Sequence, residues 1–452
     1  VILRHRHLRL ALLACIAFAL LQGGGAPARA QDDAGPPPAP TTSEERHQQH
    51  REERERKRES LAESDKKKEE EANDETPTID TESTIDAVEE DIRWTLDGDL
   101  RPIITYQSDD LADGTNISDS DAGFRVRAGG VFALSRPVQL GARLAGRCFI
   151  DNCDLEFIFQ PDAPTRNGLS GGQFTFDELY AHLFRKRRFD VAAGRLQTRA
   201  VLRGGVYAKS LDRNDSNNTR VTWTDGAHAT YRGVDGWDGH LVLQYNHRDG
   251  PSNVLRRPLD FEPDDTRVTG FANIDNTDAW GPVVQRTLDV TYIPNALLAD
   301  GSPDGRREDY WGLVGRLALR WPQRAEGPRL RFGGELGYAP NTPTNASRDL
   351  GSSGDTEGLA WNVVVSAMEF APQHSIGVNY ARTGAGWLLS PQYGANEELW
   401  ELRYQWRPRT LPLVEARVRR RRDLKEETGA VRQRDVFDFF LRVTWRFRTL
   451  AF

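Results

Sequence analysis

Arginine is the residue type whose spacing first suggests chemistry in this chain. In the stretch LVEARVRRRRD, residues 413–423, Glu415, Arg417, Arg419 and Arg421 take alternate positions, with Val414, Ala416 and Val418 between them. A guanidinium is a planar fork of N–H donors that matches phosphate and carboxylate oxygens, so a row of them is a row of anion contacts. Basic runs also occur on nucleic-acid patches and solvated helix faces, and the surrounding chain has to decide between these. Other reactive types are sparse. His182, His228, His240 and His374 have no evident serine and aspartate set beside them, so no nucleophilic centre is expected and the chain is not read as an enzyme. His47 and His50, in HQQH, lie in a charged run and read as solvated. Residues 212–218, DRNDSNN, alternate oxygen ligands but lack the glycine and closing glutamate of a calcium loop. No metal and no cofactor is expected.

The N-terminal part bears on compartment. Arg4, Arg6 and Arg9 precede an apolar run at 10–21, and Ala28 and Ala30 precede Gln31, which together read as a secretory signal peptide over residues 1–30. Cys148 and Cys153, in CFIDNC, are then expected to form a disulfide in an oxidising compartment. Residues 31–91 hold 21 Asp and Glu against 9 Lys and Arg, open on a proline-rich stretch and carry no apolar stripe. They read as a charged, low-complexity periplasmic tether. Residues 92–452 hold 46 acids against 47 bases, so the acidity of the chain belongs to the tether and the body has no net charge to offer nucleic acid.

The elements that must position the arginines have a period of two. In IRWTLDGDLRPIITY, residues 92–106, apolar and charged residues alternate, and the apolar row opens near Trp94 and closes at Tyr106. YWGLVGRLALRW sets Trp311, Leu313, Leu317, Leu319 and Trp321 against Arg316 and Arg320, and RLRFGGELGY sets Leu330, Phe332, Leu336 and Tyr338 against Arg329, Arg331 and Glu335. LWELRYQWR places Arg403 between Trp400 and Trp406, and FRVRAGGVFAL places Arg125 and Arg127 opposite Phe124, Val126 and Phe132. Ten residues from Trp311 to Trp321 span ~33 Å of strand, which at a tilt of about 40° covers roughly the 25 Å apolar band of an outer-membrane barrel. Aromatics at both ends of the rows suit the two membrane interfaces. Fifteen such segments are evident between 92 and 447, and a sixteenth at 267–273 puts every short turn on one side. Residues 153–160 read as loop. The expected fold is an all-β transmembrane antiparallel barrel of about sixteen strands over 92–452, in the outer membrane, with lipid and lipopolysaccharide as surroundings.

With a signal peptide, sixteen strands and Phe452, the chain resembles Gram-negative outer-membrane porins. FTFDELYAHLFRKRRFDVAAGRLQTR, residues 174–199, and WTDGAHATYR, residues 223–232, are similar to segments of the phosphate-selective O/P-type porins. The resemblance implies passive diffusion of small hydrophilic solutes and a homotrimer. Two departures stand beside it: the last aromatic row is odd-numbered to Phe447 whereas Phe452 is even, which calls for a bulge or a short tail, and arginine replaces the lysines of the family's anion channels. The candidate pore-lining residues are Arg125, Arg127, Arg316, Arg320, Arg329, Arg331, Arg403, Arg417, Arg419 and Arg421, with Asp97, Asp99, Asp289, Glu335, Glu401, Glu415 and Asp438 available to pair with them. The connection 198–220 carries Arg199, Arg203, Lys209 and Arg213 and is the candidate constriction loop, the alternative being an exposed loop. An anion-leaning channel is the first functional reading. An adhesin, receptor or cell-wall-linked scaffold is the alternative.

Overall fold

The computed structural model describes residues 94–451, apart from 136, 160–168, 186–187, 204, 207–208, 215–220, 235, 247–256, 260–266, 277, 303–304, 324–326, 352, 391 and 410. The expected signal peptide and tether, residues 1–91, lie outside the described residues, as do Phe452 and the end of the candidate loop. The strands are β1 (Trp94–Asp110), β2 (Asn116–Ser135), β3 (Val138–Phe149), β4 (Glu156–Phe157), β5 (Gln173–Arg185), β6 (Phe189–Leu196), β7 (Thr224–Val234), β8 (Trp237–Asn246), β9 (Arg267–Asn276), β10 (Val283–Leu298), β11 (Arg307–Trp321), β12 (Arg329–Tyr338), β13 (Leu359–Ala371), β14 (His374–Thr383), β15 (Glu397–Trp406), β16 (Leu413–Asp423) and β17 (Asp435–Ala451). Sixteen of them form the wall. The exception, β4, is two residues long and lies parallel to β5 within a loop. Each wall strand pairs antiparallel with the next, and β17 pairs with β1 to close the sheet. No described helix is long and apolar enough to cross a membrane.

Alternation places side chains as the period requires. On β11, Trp311, Leu313 and Leu317 are exposed on the outside while Val314, Arg316 and Ala318 are buried inside. On β16, Val418 faces out and Glu415 and Arg417 face in. Apolar residues cover the outer surface, from Trp94, Leu96 and Leu100 on β1 to Phe437, Trp445 and Phe447 on β17. That is the outer surface a barrel needs in hydrocarbon, because closure satisfies every backbone group in the ladder. Tight turns join the strands at one end, where Gly236 (φ +72°) takes the left-handed conformation that a side chain would disfavour.

β1 and β2 run further than their apolar rows, so Asp109, Asp110, Asp119 and Asp121 are strand residues and Asp113 lies in the turn between them. Thr115 donates to Asp113 from its hydroxyl (2.7 Å) and its backbone N–H (2.8 Å), which lowers the Asp113 carboxyl below its ordinary pKa. β17 continues to Ala451 in unbroken register with β1, so no bulge separates Phe447 from the end of the strand. Cys148 and Cys153 are joined as a disulfide at the end of β3, with Cα atoms 4.7 Å apart.

Candidate functional site

The connection after β6 folds into the barrel. Its middle part bonds to β10, β13 and β15 across the barrel. Gln285 on β10 accepts from the Arg203 N–H (2.8 Å) and donates to the Val201 carbonyl (3.0 Å). Val206 N–H donates to Ser366 Oγ on β13 (3.4 Å), and Arg403 on β15 donates to the Val206 carbonyl (3.5 Å). Lys209 Nζ pairs with Glu401, also on β15. Arg213 turns the other way and donates to Thr198 (2.6 Å), Thr224 (2.9 Å) and Gln244 (2.6 Å). Of the four cations expected on this loop, Lys209 and Arg213 are buried, Arg199 is half-buried, and Arg203 is exposed and pairs with Asp275 at 3.2 Å. The loop also buries Leu202 and Val206 against Ala318 and Val364 of the wall. Gly205 lets the backbone lie on β13, since a Cβ there would collide with Ser366.

Arg316 is the anchor of this arrangement. Its guanidinium, fully buried, meets Asp289 on β10, Glu335 on β12 and Asp212 on the loop, and donates to Ser210 at 2.9 Å. Asn273 donates to Asp289 and Asn362 to Glu335. Three carboxylates around one guanidinium hold three wall strands, β10, β11 and β12, and the loop together, and the low exposure strengthens each bond.

The other candidate arginines divide by partner. Arg125 forks onto both oxygens of Asp99 (2.7 and 3.0 Å). Arg127 Nε lies 2.9 Å from Asp177, which Arg143 also bonds. Arg417 and Arg419 both bond Asp438, and Arg421 lies 3.7 Å from the same carboxylate and 3.9 Å from Glu397. Arg403 lies 3.4 Å from Glu401. Arg329 bonds Glu369 and the Gly327 carbonyl, each at 3.2 Å, near the turn end. Arg320 and Arg331 stand directly opposite each other on β11 and β12, like charges side by side and half-buried. Arg442 bonds Glu415. Phe440 sits among this group, fully buried, with the guanidinium carbons of Arg417, Arg442 and Arg403 at 4.3, 5.3 and 5.8 Å from its ring centre. Aromatic faces attract such cations.

A second segment enters the lumen. The connection between β14 and β15 buries Trp387, Leu388, Leu389 and Tyr393 against Leu211 of the first loop and Ile293, Leu297, Tyr310 and Val314 of the wall. Trp387 Nε1 donates to the Leu211 carbonyl (2.9 Å), and Tyr310 Oη donates to Gly386 O (2.8 Å) while accepting from Leu388 N–H (2.9 Å). A Cβ on Gly337 would stand 2.9 Å from the Trp387 ring, so the wall residue has to be small. Together the two segments fill the β10–β15 side of the lumen. Opposite, His182 meets Asp190 (3.2 Å), Arg232 meets Asp190 and lies 4.0 Å from Asp238, and His228 and His240 lie half-buried.

Several of these residues escaped the sequence reading. Phe440 breaks the alternation within FDFFLR, and Asp177 and Glu178 lie on a strand whose charges were not assigned partners. The second inward segment had a signal too: the inner row of β11 includes Gly312, Val314 and Ala318, and a water-filled lumen has no use for such a row.

No family model and no curated protein matches this chain. Among solved structures it is similar to OprB of Pseudomonas putida, at high pH, with a TM-score of 0.51 and 12% identity over 78% of this chain and 94% of that one. It is also similar to OpdK of Pseudomonas aeruginosa, solved with vanillate (TM-score 0.48, 12% identity, 79% and 99% covered), and to OpdL of the same organism (0.45, 14%, 78% and 99%). The likeness to OprB is one of fold.

Proposed function

We propose that this chain is a passive outer-membrane channel for small hydrophilic solutes, leaning toward anions. A closed barrel with an apolar exterior, a charged interior and an inward-folded loop supports the channel. The lean toward anions is carried by one observation: three guanidiniums, Arg417, Arg419 and Arg421, share the carboxylate of Asp438. Their side chains are 10%, 13% and 20% exposed in that order, so the positive field of the cluster reaches the lumen, where it attracts a phosphate or carboxylate. The homotrimer belongs to this reading, and the outer surface of β1–β6 offers a shallow apolar groove of about 560 Å³ lined by Trp94, Leu96, Phe132, Leu140 and Leu179. Residues 31–91 are then a periplasmic tether. Purified chain in a planar bilayer should give discrete conductance steps and, in a salt gradient, a reversal potential of anion-preferring sign. Absence of steps would remove the channel reading, and a cation-preferring sign would remove the arginines from the path.

A further inference from the structure

We propose that His228, His240 and Thr230 form a lumen site for a divalent first-row transition ion such as Zn²⁺. His228 and Thr230 are on β7 and His240 is on β8, where Thr230 pairs with it across the strands. His228 Nε2 and His240 Nδ1 lie 3.2 Å apart, and Thr230 Oγ1 lies 3.4 Å from the first and 3.2 Å from the second. The three atoms make a nearly equilateral triangle. A tetrahedral zinc ion with bonds of ~2.0 Å has donor–donor edges of ~3.3 Å, so the triangle has the size of one face of its coordination shell.

The chemistry of the pair favours an ion. Two facing ring nitrogens share one proton in a hydrogen bond, and a metal takes the place of that proton while binding both lone pairs. Imidazole suits zinc, copper and nickel, whereas magnesium and calcium prefer oxygen. No three His, Cys, Asp or Glu side chains converge as a metal cluster among the described residues, so the set is two imidazoles and a weak hydroxyl donor, with the fourth position left to water or to a carboxylate in transit. Both histidines are half-buried, which leaves them reachable from the lumen. The charges around them permit a cation: Arg232 is held by Asp190, and Arg213 is engaged by Thr198, Thr224 and Gln244. Ala200 of the inward loop packs on Val242, two residues along β8 from His240, so an ion here would sit next to the base of the constriction.

The test uses the untagged full-length chain in detergent, titrated with Co²⁺ and followed by its visible d–d absorption, then challenged with Zn²⁺. The expected result is an intense tetrahedral band displaced by Zn²⁺, with affinity lowered about tenfold or more in His228→Gln/His240→Gln and unchanged in His47→Gln/His50→Gln, which removes the histidine pair of the charged segment. Each single variant, checked for heat-modifiable migration, serves if the double variant does not fold. A signal that survives His228→Gln and His240→Gln, one lost only with His47 and His50, or a weak octahedral band would each overturn the site. The readout does not depend on conductance, so it stands or falls apart from the channel reading.

Discussion

On the wall at β10 to β12, charge holds the molecule together around Arg316; on the wall at β7 and β8, the charges of Arg232 and Asp238 stay within reach of water. Arg316 and its three carboxylates have no exposure, and Lys209 and Glu401 have almost none. Across the lumen the Arg232 side chain is 26% exposed and that of Asp238 is 43% exposed, so the pair between them is screened. The buried charges come with apolar neighbours that exclude water, Leu211, Val314 and Trp387 on one side and Leu202, Val206 and Ala318 on the other. The same residue type, arginine, therefore does two jobs, and the neighbours decide which.

The contrast is broken most severely at Arg316. Arg316→Ala strands Asp212, Asp289 and Glu335 without their cation, and losing one partner of a buried ion network destabilises by about 3–5 kcal/mol. Denaturant unfolding of the detergent-solubilised chain should show the loss, and conductance should rise as the loop leaves the wall. Trp387→Ala comes next: a cavity in the apolar cluster costs about 3 kcal/mol and should loosen the second segment without altering selectivity, read by unfolding and reversal potential together. Replacing Arg417, Arg419 and Arg421 with serine should shift the reversal potential toward cations while the barrel still folds, since lumen substitutions tune selectivity more than stability. Raising salt toward 1 M, where screening acts over ~3 Å, should shrink that shift. Smallest is Arg232→Ala, whose partly exposed pairs predict a change of about 1 kcal/mol or less; a loss as large as that of Arg316 would show that the two walls are alike.

Strands were legible because their information is local. A lipid-facing row needs an apolar residue at every second position, and RLRFGGELGY, residues 329–338, coincides with the observed strand β12. The requirement that short turns share one side located β9 although its own pattern is weak. Inward packing is a different kind of information, carried by residues far apart in the chain. Nothing near Trp387 announces that Leu211 accepts its contact, and Lys209 meets Glu401 across 192 positions. The loop 198–220 could be named a constriction candidate from its length and charge, but not which of its cations would be buried. The lumen arginines were visible by phase; their sharing of Asp438 or Asp99 follows from register, which strand pairing sets.

The seam where β1 meets β17 has a consequence for assembly order. Its register runs from Trp94 opposite Ala451 to Asp110 opposite Asp435, and Arg434 reaches Asp109 across 325 residues of chain. Until these two strands meet, the sheet has two bare edges, and each unpaired amide in hydrocarbon costs several kcal/mol. A half-inserted intermediate with open edges is therefore disfavoured over the whole seam, and insertion and circularisation have to proceed as one event. Shortening either seam strand would act on the yield of assembled protein more than on the properties of the molecules that do close.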